Sequence, residues 1–254
     1  MARAGVVVES ALRAALEAVH PGATTHDIDS RAAEAIRTAG ATSNFLGYFG
    51  YPATTCISVN DEVVHGIPGD RVLAVGDIVS IDCGAVVDGW HGDSAVTVIV
   101  GEATDPRDSA LVEATRLALW DGIAAFARAA HVVEISAAIE AVAEGAGLAP
   151  ADGYVGHGIG TEMHQAPDVP NVVERGRGAR LRTGMCLAIE PMFCDGDGST
   201  RVLDDEWTVV TGDGGRAAHW EHSVAIHSDG IWVLTASDGG ASELAAYGII
   251  PVAP

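Results

Sequence analysis

Four carboxylates interrupt runs of residues that otherwise belong in a protein core. Asp82 sits inside the apolar stretch Ile78 to Ala85, and Asp93 heads the stretch Ser94 to Ile99. Glu190 ends the run Cys186 to Ile189, and Glu221 lies within Trp220 to Ile226. An ionised carboxylate taken out of water costs several kcal/mol unless a cation or hydrogen-bond donors compensate it. Taken singly, each could be answered by a salt bridge or a strand-end cap. Four of them, with His157 in the glycine-rich run Gly156 to Gly160, call for a shared compensation. Two divalent cations bridged by carboxylates would supply it. Carboxylates with one imidazole suit Mn, Fe, Co or Zn, and two such ions about 3.5–4 Å apart can hold a bridging hydroxide and polarise a carbonyl. Residue pattern by itself does not bring the five together in space.

The chain has the means to bury these groups. Of its 254 residues 48% are hydrophobic and only 19% charged, enough for one large or two small domains with a substantial core. Fourteen basic residues, all arginine, stand against 35 acidic ones, for a net charge of −21. So anionic a surface repels nucleic-acid backbones and anionic lipid headgroups. No apolar run reaches the ~18 residues of a membrane span, and none follows a signal-peptide plan; the expectation is a soluble, cytoplasmic protein. Cys56, Cys83, Cys186 and Cys194 are irregularly spaced without a CxxC, which reads as reduced packing thiols rather than a disulfide framework or zinc ribbon.

Periodicity predicts helices over 2–19 and 27–39, the second capped by Thr24 or Thr25 and stopped at Gly40. Strands follow at Thr55 to Val59 and Val63 to Val64, with a hairpin turn at Asn60 to Glu62. Further strands are expected at Asp77 to Ala85 and, after a turn at Asp88-Gly89, at Ser94 to Val100. The plan then repeats. Helices are predicted over 109–130 and 134–146, and strands over 185–190, 206–211, 217–227 and 231–235. Two helices then strands, twice over, suggest a pseudo-symmetric duplication. No linker divides the halves, so one α+β domain over residues 1–254 is expected.

The chemistry-bearing residues lie in segments that resemble the type I methionine aminopeptidases. These are Asn60 to Pro68, Ser80 to Asp82, Asp88 to Asp93, Gly156 to His164, Ile189 to Met192 and Trp220 to His222, in family order, within a similarity running from about Ala4 to His227. The resemblance implies a pita-bread fold, with two αβ halves related by a pseudo-two-fold axis and the metals on a central antiparallel sheet. It implies that Asp82 chelates one metal, that Asp93 and Glu221 bridge the pair, and that His157 and Glu190 complete the shell of the other. Glu190 is then also the proton shuttle. His65 and His164 correspond to the family histidines that contact substrate, His164 at the scissile carbonyl and His65 near the scissile amide nitrogen. The implied activity is metal-dependent removal of the initiator methionine from nascent polypeptides, preferably before a small second residue, with Co, Mn, Fe or Zn as the metal. The implied state is a monomer.

The family's methionine slot maps to Phe45, Tyr48, Tyr51, Cys56, His65, Met163 and Trp207. Phe45 stands where a small or sulfur-bearing residue is common, and Met163 where phenylalanine is common; a flexible Met163 could relieve a bulky Phe45. His222 should point away from the metals, because adjacent strand residues face opposite ways. His91 is expected to support the ligand loop. His20, His26, His131, His219 and His227 are assigned surface or packing roles. The arginine run from Arg175 to Arg182 reads as a solvated loop, with contact to ribosomal RNA as its functional alternative. The rival functions are an X-Pro aminopeptidase or dipeptidase of the same fold, and a non-catalytic pita-bread binding module. The X-Pro relatives usually carry a large extra N-terminal domain, and dead relatives typically lose ligands.

Overall fold

The computed structural model describes residues 1–253. Its first half places α1 (Ala2–Leu16) and α2 (Thr25–Thr38) before β1 (Thr42–Ser43), β2 (Thr55–Val59), β3 (Glu62–Val64), β4 (Ile78–Val87) and β5 (Trp90–Ile99). A capping box starts α2: the Thr24 hydroxyl accepts from Asp27 N, and the Asp27 carboxylate accepts from Thr24 N at 2.8 Å. Val8, Ala11 and Ala15 of α1 and Ile28, Ala32 and Ile36 of α2 then bury against Ile57, Val79, Ile81 and Cys83 of the strands. β4 and β5 form a long antiparallel hairpin from Ile78↔Ile99 to Val87↔Trp90. Asp88 and Gly89 turn it with positive φ angles of 52° and 77°, as a two-residue hairpin loop of matching twist requires.

The second half repeats two helices and then strands. α3 (Pro106–Phe126) begins at an Asp105 cap with proline in its first turn, and α4 (Val133–Ala146) ends at Gly147 in the left-handed conformation. After them come β6 (Ala149–Pro150), β7 (Gly156–Gly158), β8 (Gln165–Val169), β9 (Cys186–Ile189) and β10 (Met192–Cys194). β11 (Thr200–Val202), β12 (Val209–Thr211), β13 (Ala217–His219), β14 (His222–His227), β15 (Gly230–Val233) and α5 (Ala241–Leu244) complete the chain order. The largest sheet runs β15-β14-β9-β7-β8, and all its pairings are antiparallel. Leu119, Ile123, Phe126, Ile135 and Ile139 of the helices cover it through Leu187, Ile189 and Val224.

A short seam joins the halves at β5. Glu221 N donates to Ala95 O at 2.9 Å, and Ala95 N to Glu221 O at 3.3 Å. The Ser223 hydroxyl accepts from Asp93 N at 3.0 Å and donates to Asp93 O at 2.8 Å, while Ser94 Oγ donates to Glu221 O at 2.6 Å. Carboxylates from opposite halves of the sequence are thereby set side by side.

Several predicted elements differ in extent. α1 stops at Leu16 rather than residue 19, and α3 spans Pro106–Phe126 rather than 109–130, because Asp105-Pro106 is the stronger start signal. The strand expected over 217–227 breaks into β13 and β14, with Trp220 and Glu221 between them. Asn60 turns the chain at φ 64°, but no simple hairpin results: β2 pairs with β4, and β3 pairs with β12.

α1 closes over the seam with almost no clearance. A Cβ on Gly5 would lie 2.0 Å from the Leu234 carbonyl oxygen of the second half. Gly5→Ala is therefore expected to cost about 1–3 kcal/mol by overpacking, read as a lower urea midpoint at unchanged m value. Gly145→Ala, in exposed α4 backbone with no atom near its Cβ position, should be neutral or stabilising by about 0.5–1 kcal/mol.

Candidate active site

Strand geometry delivers each acidic side chain to one place. Asp82 lies on β4 opposite Ala95, and Asp93 on β5 opposite Gly84. His157 is the middle residue of β7, Glu190 directly follows β9, and Glu221 directly precedes β14. All five line a single cavity, together with Phe45, Tyr48, Tyr51, Cys56, His65, Met163, His164 and Trp207. Every site residue expected from the sequence is in that lining.

One end of the cavity is a buried carboxylate cluster. Asp93 and Glu221 are only 3% and 2% exposed. Burial first, and then the neighbouring carboxylates, push Asp82, Glu190 and Glu221 well above the usual carboxylate range, and burial pushes Asp93 up to about 7. Burial acts the other way on the imidazoles: His65 and His157 are lowered to about 4 and are neutral at pH 7. His157 Nδ1 lies 2.9 Å from the Gly158 carbonyl, so it carries the proton and leaves the Nε2 lone pair free, 3.4 Å from Glu190 Oε1.

The donor set fits divalent cations. Asp82 Oδ1, Asp93 Oδ1 and Glu221 Oε1 are buried without a hydrogen-bond partner among the described residues. One ligand atom each from Asp93, His157 and Glu221 lie within 4.8 Å of one another; the same holds for Glu190, His219 and Glu221. Two cation-sized triads thus share Glu221. Oxygen donors with an imidazole nitrogen match Mn, Fe, Co or Zn.

The other end is apolar. Phe45, Tyr51, Ala53, Cys56 and Met163 form a buried cluster, flanked by Tyr48, Ile67 and Trp207. Tyr51 and Trp207 meet edge to face at 5.0 Å between ring centroids. The cavity has a volume of about 160 Å³, similar to the engineered cavity of about 150 Å³ that takes up benzene. Both ends together are too small for a large ligand. His65 adopts a left-handed backbone at φ 60° on its wall, and His164 stands between the two ends, its ring 4.3 Å from that of His157 and its Nδ1 2.9 Å from the Tyr48 hydroxyl.

Supporting residues come from outside the predicted set. The Asn44 amide donates to Gly92 O at 3.0 Å, and its oxygen meets His91 Nδ1 at 3.0 Å; its side chain also holds the Asp93 carboxyl down against the effect of burial. A Cβ on Gly84 would fall 2.2 Å from the Asn44 amide nitrogen, so glycine is required beside Asp93. His222 turns away as expected, packing on Trp120 at 5.2 Å and reaching Thr235 Oγ1 at 2.8 Å. His219, assigned a surface or packing role from the sequence, is buried at 2% exposed, and its Nε2 lies 3.6 Å from Glu190 Oε2 beside the cluster. Its signal was available, since His219 and Glu221 are two residues apart in extended chain and share a face.

Comparison with known proteins agrees with this geometry. Residues 1–228 match the model of metallopeptidase family M24. The chain belongs to that family. Methionine aminopeptidase 1 of Mycobacterium tuberculosis is 52% identical over 242 residues, covering 92% of this chain and 91% of the relative. The crystal structure of methionine aminopeptidase from Thermotoga maritima superposes with a TM-score of 0.90 at 43% identity, over 92% of this chain and 94% of the other. Prolidase from Pyrococcus furiosus shares the pita-bread fold at a TM-score of 0.73 and 20% identity, but the match covers only 62% of its length.

The raised carboxyl values give a pH prediction. A carboxyl that holds its proton to about pH 7 when folded, as Asp93 does, but loses it near 3.8 when unfolded, makes the native state the better proton binder between those values. Stability then falls as pH rises through that window. Chelator-treated protein should lose roughly 5–10 °C in Tm between pH 5 and pH 8, a few kcal/mol for a chain of this size. Adding a divalent ion at pH 8 should restore it. A Tm that rises with pH in the presence of chelator would contradict the assignment.

Proposed function

We propose that this protein is a metal-dependent aminopeptidase that removes the initiator methionine from new polypeptides, preferably before a small second residue. One observation supports this reading above the others: a single small cavity is apolar at one end and carries a carboxylate cluster suited to cations at the other. A substrate whose first side chain fills the Phe45–Met163 end presents its α-amine and first peptide bond to the cluster. The names of the similar proteins point to the same reaction. The absence, among the described residues, of any helix long and apolar enough to cross a membrane is compatible with a cytoplasmic monomer acting at nascent chain ends. The arginine run at 175–182 gives such a protein a basic patch to offer a ribosome.

Asp82, Asp93, His157, Glu190 and Glu221 would hold two divalent ions, which when bound supply an activated water and polarise the scissile carbonyl. Glu190 would take the proton from that water and pass it to the leaving amine. The Tyr48 hydroxyl, donating to His164 Nδ1, would leave Nε2–H of His164 to donate to the carbonyl oxygen as negative charge develops there. His65, neutral on the slot wall, would accept or donate a hydrogen bond at the amide nitrogen without adding charge. Phe45, Tyr51, Cys56, Met163 and Trp207 would exclude water around the methionine side chain.

Chelator-stripped protein reloaded with Co, Mn, Fe or Zn should release methionine from Met-Ala-Ser but not from Met-Lys-Ser. Asp93→Ala should abolish release with every metal. Cleavage confined to an X-Pro peptide lacking methionine would reassign the protein to the rival peptidase class, and a folded, ion-binding protein that cleaves neither would be a binding module. Separately, His164→Ala is expected to lower kcat by about a hundred- to a thousandfold with little change in KM, the pattern of an interaction made in the transition state.

A further inference from the structure

The geometry points to His219 as a further nitrogen ligand of the centre, donating Nε2 to the cation held between Glu190 and Glu221. This inference rests on the metal-dependent reading of the site.

His219 Nε2 is buried and has no hydrogen-bond partner among the described residues. It lies 3.6 Å from Glu190 Oε2. That is too long for a hydrogen bond from imidazole to carboxylate, which falls at about 2.7–3.2 Å. It matches two donors on one ion, since metal–ligand bonds of about 2.0–2.2 Å set neighbouring donors roughly 3.0–3.6 Å apart. His157 Nε2 has the same relation to the other Glu190 oxygen, at 3.4 Å. Glu190 therefore stands between two imidazoles, one on each oxygen.

The position of His219 is fixed from the other half of the molecule. Thr97 Oγ1, on the strand that carries Asp93, accepts from His219 N at 3.0 Å and donates to His219 O at 2.6 Å. Ser80 Oγ lies 2.8 Å from that same hydroxyl. β13 pairs His219 with Met192, two residues beyond Glu190. A residue whose backbone is held this firmly, with an open ring nitrogen near Glu190 and Glu221, is placed as a donor. A second imidazole also shifts metal preference from Mn toward Zn, Fe or Co.

The test is a long-range 1H–15N spectrum of histidine-15N-labelled, full-length protein, stripped with chelator and titrated with Zn2+. The His219 cross peaks are assigned by their loss in His219→Gln, and those of His157 by their loss in His157→Gln. Zinc saturation should move Nε2 of both His157 and His219 to the metal-bound position, and calorimetry on His219→Gln should show one of two zinc ions bound about 10–100-fold more weakly. If His157 Nε2 moves and His219 Nε2 keeps its unligated shift, the metal centre stands and this inference falls. If zinc does not bind, both fall. Should His219→Gln not fold, the wild-type titration with His157 assigned still counts the ligated imidazoles and decides the matter.

Discussion

Mutual repulsion among Asp82, Asp93, Glu190 and Glu221 is the constraint on which the rest of this structure depends. Burial pushes all four carboxyls up, and the neighbouring carboxylates add to it at Asp82, Glu190 and Glu221. A polypeptide can tolerate such a cluster in only two ways: by keeping it protonated, or by placing positive charge inside it. No arginine among the described ion pairs reaches these four groups, and the neighbouring imidazoles are neutral. Once ionised, the cluster has to draw its compensation from outside the chain, as a cation. Family membership in the metallopeptidases is the evolutionary form of that electrostatic requirement.

The duplicated architecture follows from the same constraint. Asp82 and Asp93 belong to the first half, and His157, Glu190 and Glu221 to the second. Neither half owns all five of the proposed ligands, and neither confronts the full repulsion until β5 meets the chain before β14. The seam is accordingly held by backbone and hydroxyl bonds, with Ser223 spanning both polar groups of Asp93 and Ser94 reaching Glu221. Such bonds tolerate a change of charge in the side chains they flank. Their register also fixes where each carboxylate points, so rigidity is concentrated where ligand distances matter most.

Much of the site was legible because polar residues inside apolar runs are costly and therefore informative. Asp82, Asp93, Glu190 and Glu221 stand out against their neighbours, and the repeated helix–strand order announced the two halves. The elements went wrong where local signals compete. The run 217–227 reads as one strand, yet its pairing breaks at Trp220-Glu221, where Glu221 bonds through its backbone to Ala95 of β5 instead. Asn60 promises a hairpin, but β3 finds β12 instead, a pairing 145 residues away at Val64↔Val209, decided by tertiary packing rather than turn chemistry. Asn44 gave no signal at all: its role arises only because Gly84 leaves space for it across the β4–β5 hairpin. His219 did give one, through its two-residue spacing from Glu221, the same alternation that correctly turned His222 away.

Desolvation drives the acids and the histidines of this cavity in opposite directions, and that opposition is what makes its two ends compatible. Carboxylates ordinarily raise the pKa of a neighbouring histidine, and a row of imidazolium ions here would expel cations and place charge beside an apolar slot. Burial outweighs that attraction: His157 and His65 are held near 4 and His219 near 3. A neutral imidazole offers one lone pair and one N–H, so its tautomer becomes a directional instruction. His157 spends its N–H on the Gly158 carbonyl and turns its lone pair toward Glu190. His164 is oriented by the Tyr48 hydroxyl on the slot side. Because none of these rings carries charge, the polar end can attract cations while the boundary with Phe45, Met163 and Trp207 stays uncharged. In the proposed reaction, a side chain in the slot would meet the cluster across a wall of neutral donors and acceptors, so that one small cavity would both select an apolar residue and polarise the bond that follows it.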